Sequence, residues 1–170
     1  MIKELSIPKG RIPVLIGKNG ETKRLIESAT KTKIKITGFV SINGDAIGIV
    51  SAENIVKAVG RGFSPENAMQ LLDEEKTLHI INLPAAKAPL RRIKSRLIGT
   101  PGRARRNIER FTHTSISVYG KTVSIIGSYE GVEKAGVAIE KLIAGARHKS
   151  VYKDIRRHPS LNKNHQPGDF

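Results

Sequence analysis

Cysteine and tryptophan are absent from the 170 residues, and aromatic side chains are few, four Phe and three Tyr. Without cysteine the chain can have no disulfide, thiol nucleophile, iron–sulfur cluster or Cys-bound zinc, so a metal ion would depend on histidine and carboxylates. The five histidines, His79, His113, His148, His158 and His165, show no HExxH or other paired spacing, and neither a metal nor another cofactor is expected. A GxxxxGK[ST] nucleotide loop is also missing, which leaves ATP hydrolysis without a motif. Scarce aromatics argue against binders that stack bases on exposed rings. No apolar run approaches the roughly 20 residues that span a bilayer, and the start of the chain lacks the basic-then-apolar leader pattern. A cytoplasmic protein with no membrane partner is expected.

Acid is the other shortage. Lys and Arg number 30 against 15 Asp and Glu, a net charge of +15, with a pI near 10.3. Apolar residues make up 38% of the chain, enough to fold around a core. The excess of base points to a polyanionic partner, because each Lys or Arg that neutralises a phosphate releases counterions. Its placement is uneven: residues 1–75 carry 11 basic and 9 acidic side chains, residues 76–170 carry 19 and 6. Between Lys87 and Arg110 nine basic residues meet a single acid, Glu109, too few acids for a face of paired charges.

The chain repeats itself. Leu15, Ile16, Gly17 and Gly20 recur as Leu97, Ile98, Gly99 and Gly102. Arg24, Ile26, Thr32, Ile34 and Ile36 recur as Arg106, Ile108, Thr114, Ile116 and Val118, all displaced by 82. Upstream, Leu5 and Ile7 match Ile81 and Leu83 at a shift of 76, and Ile47 and Ile49 align with Val123 and Ile125 at that same shift. Each copy reads β-α-α-β-β-α. In the first, a strand over Lys3–Ile7 precedes a short helix at Pro13–Ile16, a helix from Gly20 to about Ala29 and a strand over Lys33–Thr37. A loop over Phe39–Asp45, with the turn dipeptide Asn43-Gly44, would lead to a strand over Ala46–Ser51 and a helix over Ala52–Val59. Ser64 and Pro65 start a further helical turn. The second copy places strands at Leu78–Leu83, Ser115–Tyr119 and Thr122–Ile126, and helices at Leu90–Ile98, Arg103–Phe111 and about Glu130–Ala144. The acidic run Asp73, Glu74 and Glu75 reads as a divider between the copies.

A short apolar helix, a Gly-x-x-Gly and a second helix, in this element order, resemble the type I KH domain, here in tandem. An isolated Gly-x-x-Gly is commonly a tight turn between packed helices; its repetition in one context gives it meaning. The expected class is α+β, two tandem type I KH domains whose three-stranded sheets are each covered on one face by helices. The first takes residues 1–75 with the extra turn at 64–72, the second residues 76–145, and 146–170 form a basic C-terminal arm. Two glycines let backbone approach a phosphate strand, and the helix that follows presents unpaired amides and a positive dipole end. KH domains hold about four single-stranded nucleotides in this way.

The second copy is the expected main RNA site. It offers the loop Gly99, Thr100, Pro101 and Gly102, with Arg103, Arg105 and Arg106 after it, Arg92 and Arg96 before it, and Leu97, Ile98 and Ile116 as groove wall. Thr100 would cap the following helix with Pro101 at its first position. A secondary site comprises Gly17, Lys18, Asn19 and Gly20 with Lys23, Arg24, Ile16 and Ile34, its field diluted by Glu21 and Glu27. Exchanging Gly99 and Gly102 for Asp is expected to block phosphate approach without disturbing the fold.

Across nearly its whole length the chain resembles the ribosome-assembly family called partner of Nob, or Dim-two. The resemblance rests on RLIGTPGRARRNIERFTHTSISVYGKTVSIIGSYEGVEKA in the second copy and on HKSVYKDIRR, residues 148–157. It implies a non-enzymatic binder of single-stranded RNA near the 3′ end of small-subunit rRNA, working with the Nob-type endonuclease that trims that end. It also implies contact with a translation initiation factor subunit, and an archaeal-type chain, since both glycine loops are intact. An RNA nuclease or modifying enzyme, or a KH-type accessory protein of translation initiation, are the alternatives.

Overall fold

The computed structural model describes residues 1–99 and 102–157. The first unit runs β1 (Ile2–Leu5), α1 (Ile12–Ile16), α2 (Glu21–Thr30), β2 (Lys33–Ile36), β3 (Val40–Asn43) and α3 (Ala46–Gly60). A short helix α4 (Pro65–Ala68) and a 3-10 turn at Met69–Leu72 follow. The second unit repeats the order as β4 (Lys76–Asn82), α5 (Lys87–Ile98), α6 (Arg103–Thr112), β5 (Ser115–Tyr119), β6 (Thr122–Ser128) and α7 (Tyr129–Ile143), then adds α8 (His148–Arg157). Both sheets are antiparallel with the last strand in the middle, β1-β3-β2 and β4-β6-β5. β2 and β5 are therefore edge strands, next to α2 and α6. No helix of the described residues is long and apolar enough to cross a membrane.

One stretch of the first unit departs from the sequence reading. Residues 40–43, expected in a loop, are the central strand β3, and Ala46–Ser51, expected as a strand, opens α3. Gly38, at φ +83°, reverses the chain directly after β2, so that Ile36 pairs with Val40. Asn43-Gly44 is a strand–helix joint, and the Asp45 carboxylate caps α3 by accepting the Gly48 amide at 2.7 Å. Ser128 does the same for α7, accepting the Gly131 amide at 3.0 Å. The later part of the repeat thus aligns Val40 and Ile42 with Val123 and Ile125, not Ile47 and Ile49. The run Ala46-Ile47-Gly48-Ile49 alternates like a strand, but Ile47 is 80% exposed while Ile49 and Ala52 are buried, which is a helical face.

The two units share small devices that lock their helices to their sheets. Thr30 donates to the Ile26 carbonyl at 2.7 Å and contacts the Thr32 hydroxyl at 2.8 Å. Thr112 and Thr114 repeat this at 2.6 and 2.8 Å. Each buried hydroxyl pair satisfies itself, so it can sit in the core without loss.

The second sheet is buried on both faces. Val123 and Ile125 point into the second core, while Ile126 belongs to the first. The first unit leans on this outer face: Ser117 donates to the Arg61 carbonyl at 2.8 Å, Gln70 donates to Ser115 Oγ at 3.2 Å, and Arg11 lies 5.6 Å from the Tyr119 ring centre. Gly62, at φ +100°, sits against that surface, and a Cβ there would fall 2.6 Å from Ser117 Oγ. Gly62→Ala should therefore cost on the order of 2 kcal/mol, read as a fall in melting temperature. An unchanged melting temperature would show the junction to be loose.

Residues 148–157, expected to begin an arm, form α8 and bury Val151 and Ile155 in the second core. Apolar side chains at i and i+4 gave it a face to bury. Residues 158–170 lie outside the described residues.

Candidate nucleic-acid interface

In each unit the first helix stops where backbone geometry forces it to. Gly17 has φ 73°, ψ 178°, and Gly99 has φ 69°, ψ −176°, a region open only to glycine. Gly20 and Gly102 are left-handed at φ 76° and 78°. Amide-to-carbonyl bonds from Gly20 to Gly17 (3.2 Å) and from Gly102 to Gly99 (3.0 Å) close the two bends. Gly102 is the N-cap of α6, correcting the expectation that Thr100 would cap and Pro101 would start it; Thr100 and Pro101 lie outside the described residues. Neither Gly20 nor Gly102 has a side chain to cap with, so no N-cap side chain covers the amides at the positive dipole ends of α2 and α6, although the Glu21 amide that opens α2 already donates to the Lys18 carbonyl.

Glycine serves different ends within one loop. A Cβ on Gly99 would stand 2.9 Å from the Ala104 amide nitrogen, and one on Gly17 2.3 Å from Thr22 Oγ1. A Cβ on Gly102 would meet nothing nearer than Arg106 Nε at 4.0 Å. Gly17 and Gly99 hold the bend; Gly20 and Gly102 hold open the approach. Asp at Gly99 thus strains the backbone, contrary to the expectation that both exchanges spare the fold.

The structure divides the predicted cations. Arg92, Arg103 and Arg106 are exposed around the second loop. Arg105 is half-buried between α6 and β5, its Nη1 3.5 Å from the Ile116 carbonyl and its Nε without a partner. Arg96 turns away from the loop altogether. Its Nε donates to the Leu142 carbonyl at 3.0 Å, its Nη2 donates to the Ala146 carbonyl, and its own carbonyl lies 2.9 Å from His148 Nε2. It fastens α5 to the α7–α8 junction and leaves the predicted site. Lys94 gains importance: from α5 it donates to the Gly120 carbonyl at 3.1 Å, spanning from helix to hairpin. The adjoining hollow, about 550 Å³, is bordered by Arg91, Lys94, Ser95, Ile98 and Gly99.

In the first unit Lys18, Asn19 and Arg24 are exposed, and Asn19 adopts the left-handed conformation at φ 55°. Lys23 is paired with Glu27 at 3.2 Å. Burial would raise the Glu27 carboxyl, but the Ile34 amide, 2.8 Å away, and the Lys23 and Lys33 cations outweigh it and hold the group below 4.5. Glu109 accepts the Ile116 amide at 2.9 Å in the same way. These glutamates pin the edge strands to the helices; for Glu27 the sequence reading saw only dilution of charge.

Most predicted wall residues are core. Leu97, Ile116 and Ile34 are at most 4% exposed. Ile16 and Ile98 remain half-open beside the glycines, and farther along the strands Ile36 and Val118 are half-buried as well. Alternation puts Val118 on the same strand face as Ile116; which of the two stays open depends on how far the helices reach along the strand.

Comparisons with known proteins follow this geometry. The pattern described as "KH domain" matches residues 2–74, and that described as "Eukaryotic type KH-domain (KH-domain type I)" matches residues 77–160. The crystal structure of Dim2p from Pyrococcus horikoshii superposes with a TM-score of 0.87 at 49% identity, covering 92% of this chain and 99% of that one. The chain belongs to the PNO1/Dim2 family. Another Pyrococcus horikoshii structure, an a/eIF2alpha-aDim2p-rRNA complex, matches with a TM-score of 0.88 at 48% identity over 94% of each chain. A KH domain-containing protein of Methanocaldococcus jannaschii is 42% identical over 92% of this chain and 73% of its own length. The RNA-binding protein PNO1 of Oryzias latipes is 31% identical, and this chain spans about half of it, 48%. Within the PNO1/Dim2 family, then, this chain is of the archaeal type with two intact glycine loops.

Proposed function

We propose that the protein is an RNA-binding assembly factor of the small ribosomal subunit. It holds a single-stranded segment near the 3′ end of the small-subunit rRNA for endonucleolytic maturation. The observation that carries this reading is the open bend at Gly99 and Gly102. There, uncapped α6 amides, exposed Arg103 and Arg106, and the half-open Ile98 converge on a surface fit for phosphates on one side and unstacked bases on the other. Membership in a family that includes a complex with rRNA supports it. The second unit is the main site and the first a weaker one. Contact with a Nob-type endonuclease and with a subunit of an initiation factor belongs to the same proposal. Nothing in the arrangement calls for chemistry by the protein itself, and its part is to position the strand.

The test is direct titration of the purified protein with a short single strand carrying the 3′-terminal sequence of the small-subunit rRNA, beside a shuffled strand. With about four phosphate contacts the salt slope should be near −3, a loss of roughly 50-fold from 50 to 200 mM salt. Equal affinity for both strands, or a flat salt response, would contradict the reading. So would turnover of the RNA that survives repurification.

A further inference from the structure

Away from the glycine loop, α6 and α8 form a second basic surface. Lys149, Lys153, Arg156 and Arg157 are exposed on one side of α8, opposite the buried Val151 and Ile155. Arg110 joins them from the end of α6. Its guanidinium lies 5.1 Å from the Phe111 ring centre, and that of Arg156 lies 4.7 Å from the same ring. Two cations are thus held within about 10 Å of one another by a single aromatic. The acid of α8, Asp154, is turned to Lys141 on the other side at 3.1 Å and neutralises none of them. Cations fixed this close without a carboxylate favour an anion between them.

The surface differs in kind from the glycine-loop groove. A hollow of about 630 Å³ is bordered by Lys149, Tyr152, Lys153, Arg156 and Arg157, with no aliphatic wall for bases. Its ring, Tyr152, packs towards Phe111 at 6.2 Å. Such a face can touch phosphates and riboses but cannot read bases. From Lys149 to Arg157 the cations extend over about 12 Å of helix, and Arg103, Arg106 and Arg110 lie at i, i+3 and i+7 on α6, leading from the glycine loop to this surface.

We infer that the α6–α8 face binds the backbone of a double-helical RNA segment next to the single strand held at the glycine loop. Backbone and ribose contacts without base contacts are how proteins recognise helical RNA. The inference rests on the proposed single-strand site, and the test separates the two. Two probes are needed: a six-nucleotide single strand, and the same strand joined to a hairpin stem. The variant Lys149→Gln, Lys153→Gln, Arg157→Gln changes exposed side chains only, and its melting curve serves as the check on folding. We expect it to bind the short strand within twofold of the parent and the stem-bearing RNA at least tenfold more weakly, with a salt slope smaller by two to three. Equal affinity of variant and parent for the stem-bearing RNA would overturn the inference while leaving the single-strand site standing, as would the same loss on both probes. Failure of the parent protein to bind the short strand would instead overturn the site on which it rests.

Discussion

A Gly102→Asp protein should fold as the parent does and bind single-stranded RNA roughly 30 to 100 times more weakly, a loss of about 2–3 kcal/mol. Gly102 is left-handed, a conformation that Asp tolerates better than most residues, and a Cβ there has 4.0 Å of clearance to its nearest neighbour. Stability should therefore change little. Binding should change greatly, because the new carboxylate stands where the phosphate must approach the uncapped amides of α6, replacing attraction with repulsion. Gly20→Asp, in the less basic unit, should cost only a few-fold. Gly99→Asp is the wrong variant for this purpose, since its backbone angles admit glycine alone and its Cβ would crowd the Ala104 amide. Melting temperature and fluorescence anisotropy on the same preparations decide the matter. If Gly102→Asp melts like the parent and binds RNA undiminished, the cradle lies elsewhere.

Arg96→Ala should have the opposite signature. The guanidinium bridges carbonyls of Leu142 and Ala146, where α7 ends and the chain turns into α8. Its removal leaves two half-buried acceptors without their charged donor, at a cost of about 2–4 kcal/mol. For a chain of this size that amounts to a fall in melting temperature of about 10 °C. The second core loses its hold on α8, so amide exchange should speed up first in residues 148–157. Arg96→Lys should recover less than half of the loss, because an ammonium lacks the planar fork that reaches two carbonyls. Affinity for a short single strand, measured well below the transition, should stay within threefold. A variant that melts normally but binds RNA poorly would return Arg96 to the groove.

Arg96 also shows where reading the sequence stops. In the chain it is one of nine cations between Lys87 and Arg110, and nothing local sets it apart from Arg92. The partners that reassign it lie 46 and 50 residues away. Arg105 and Lys23 were likewise drawn partly out of the site by a strand carbonyl and by Glu27. The wall residues failed for a related reason: Leu97, Ile116 and Ile34 are apolar and correctly phased, but phase does not say how deeply a residue sits beneath the layer above it.

The misplaced strand has a local cause. Ala46–Ser51 fits both periods over so short a run, and Asn43-Gly44 is a good hairpin turn out of context. The competing evidence, Gly38 as the reversal and Asp45 as a cap, was in the sequence but weaker than the dipeptide. In the second unit, with a two-residue connection at Gly120-Lys121, the strands were placed correctly within two residues.

What the sequence alone determined is what depends on backbone chemistry and on repetition. Two Gly-x-x-Gly bends, each between two helices, fix where one helix must stop and another begin, because the first glycine of each takes angles open to glycine alone and the second is left-handed. Charge counting then placed the electrostatic weight in the second unit. Tertiary structure decided which cations remain available, which apolar side chains stay open, and that residues 148–157 pack as a helix carrying a basic outer face. Those outcomes follow from contacts between elements far apart in the chain, and a side chain's hydrogen-bond partner or depth of burial is a property of such contacts.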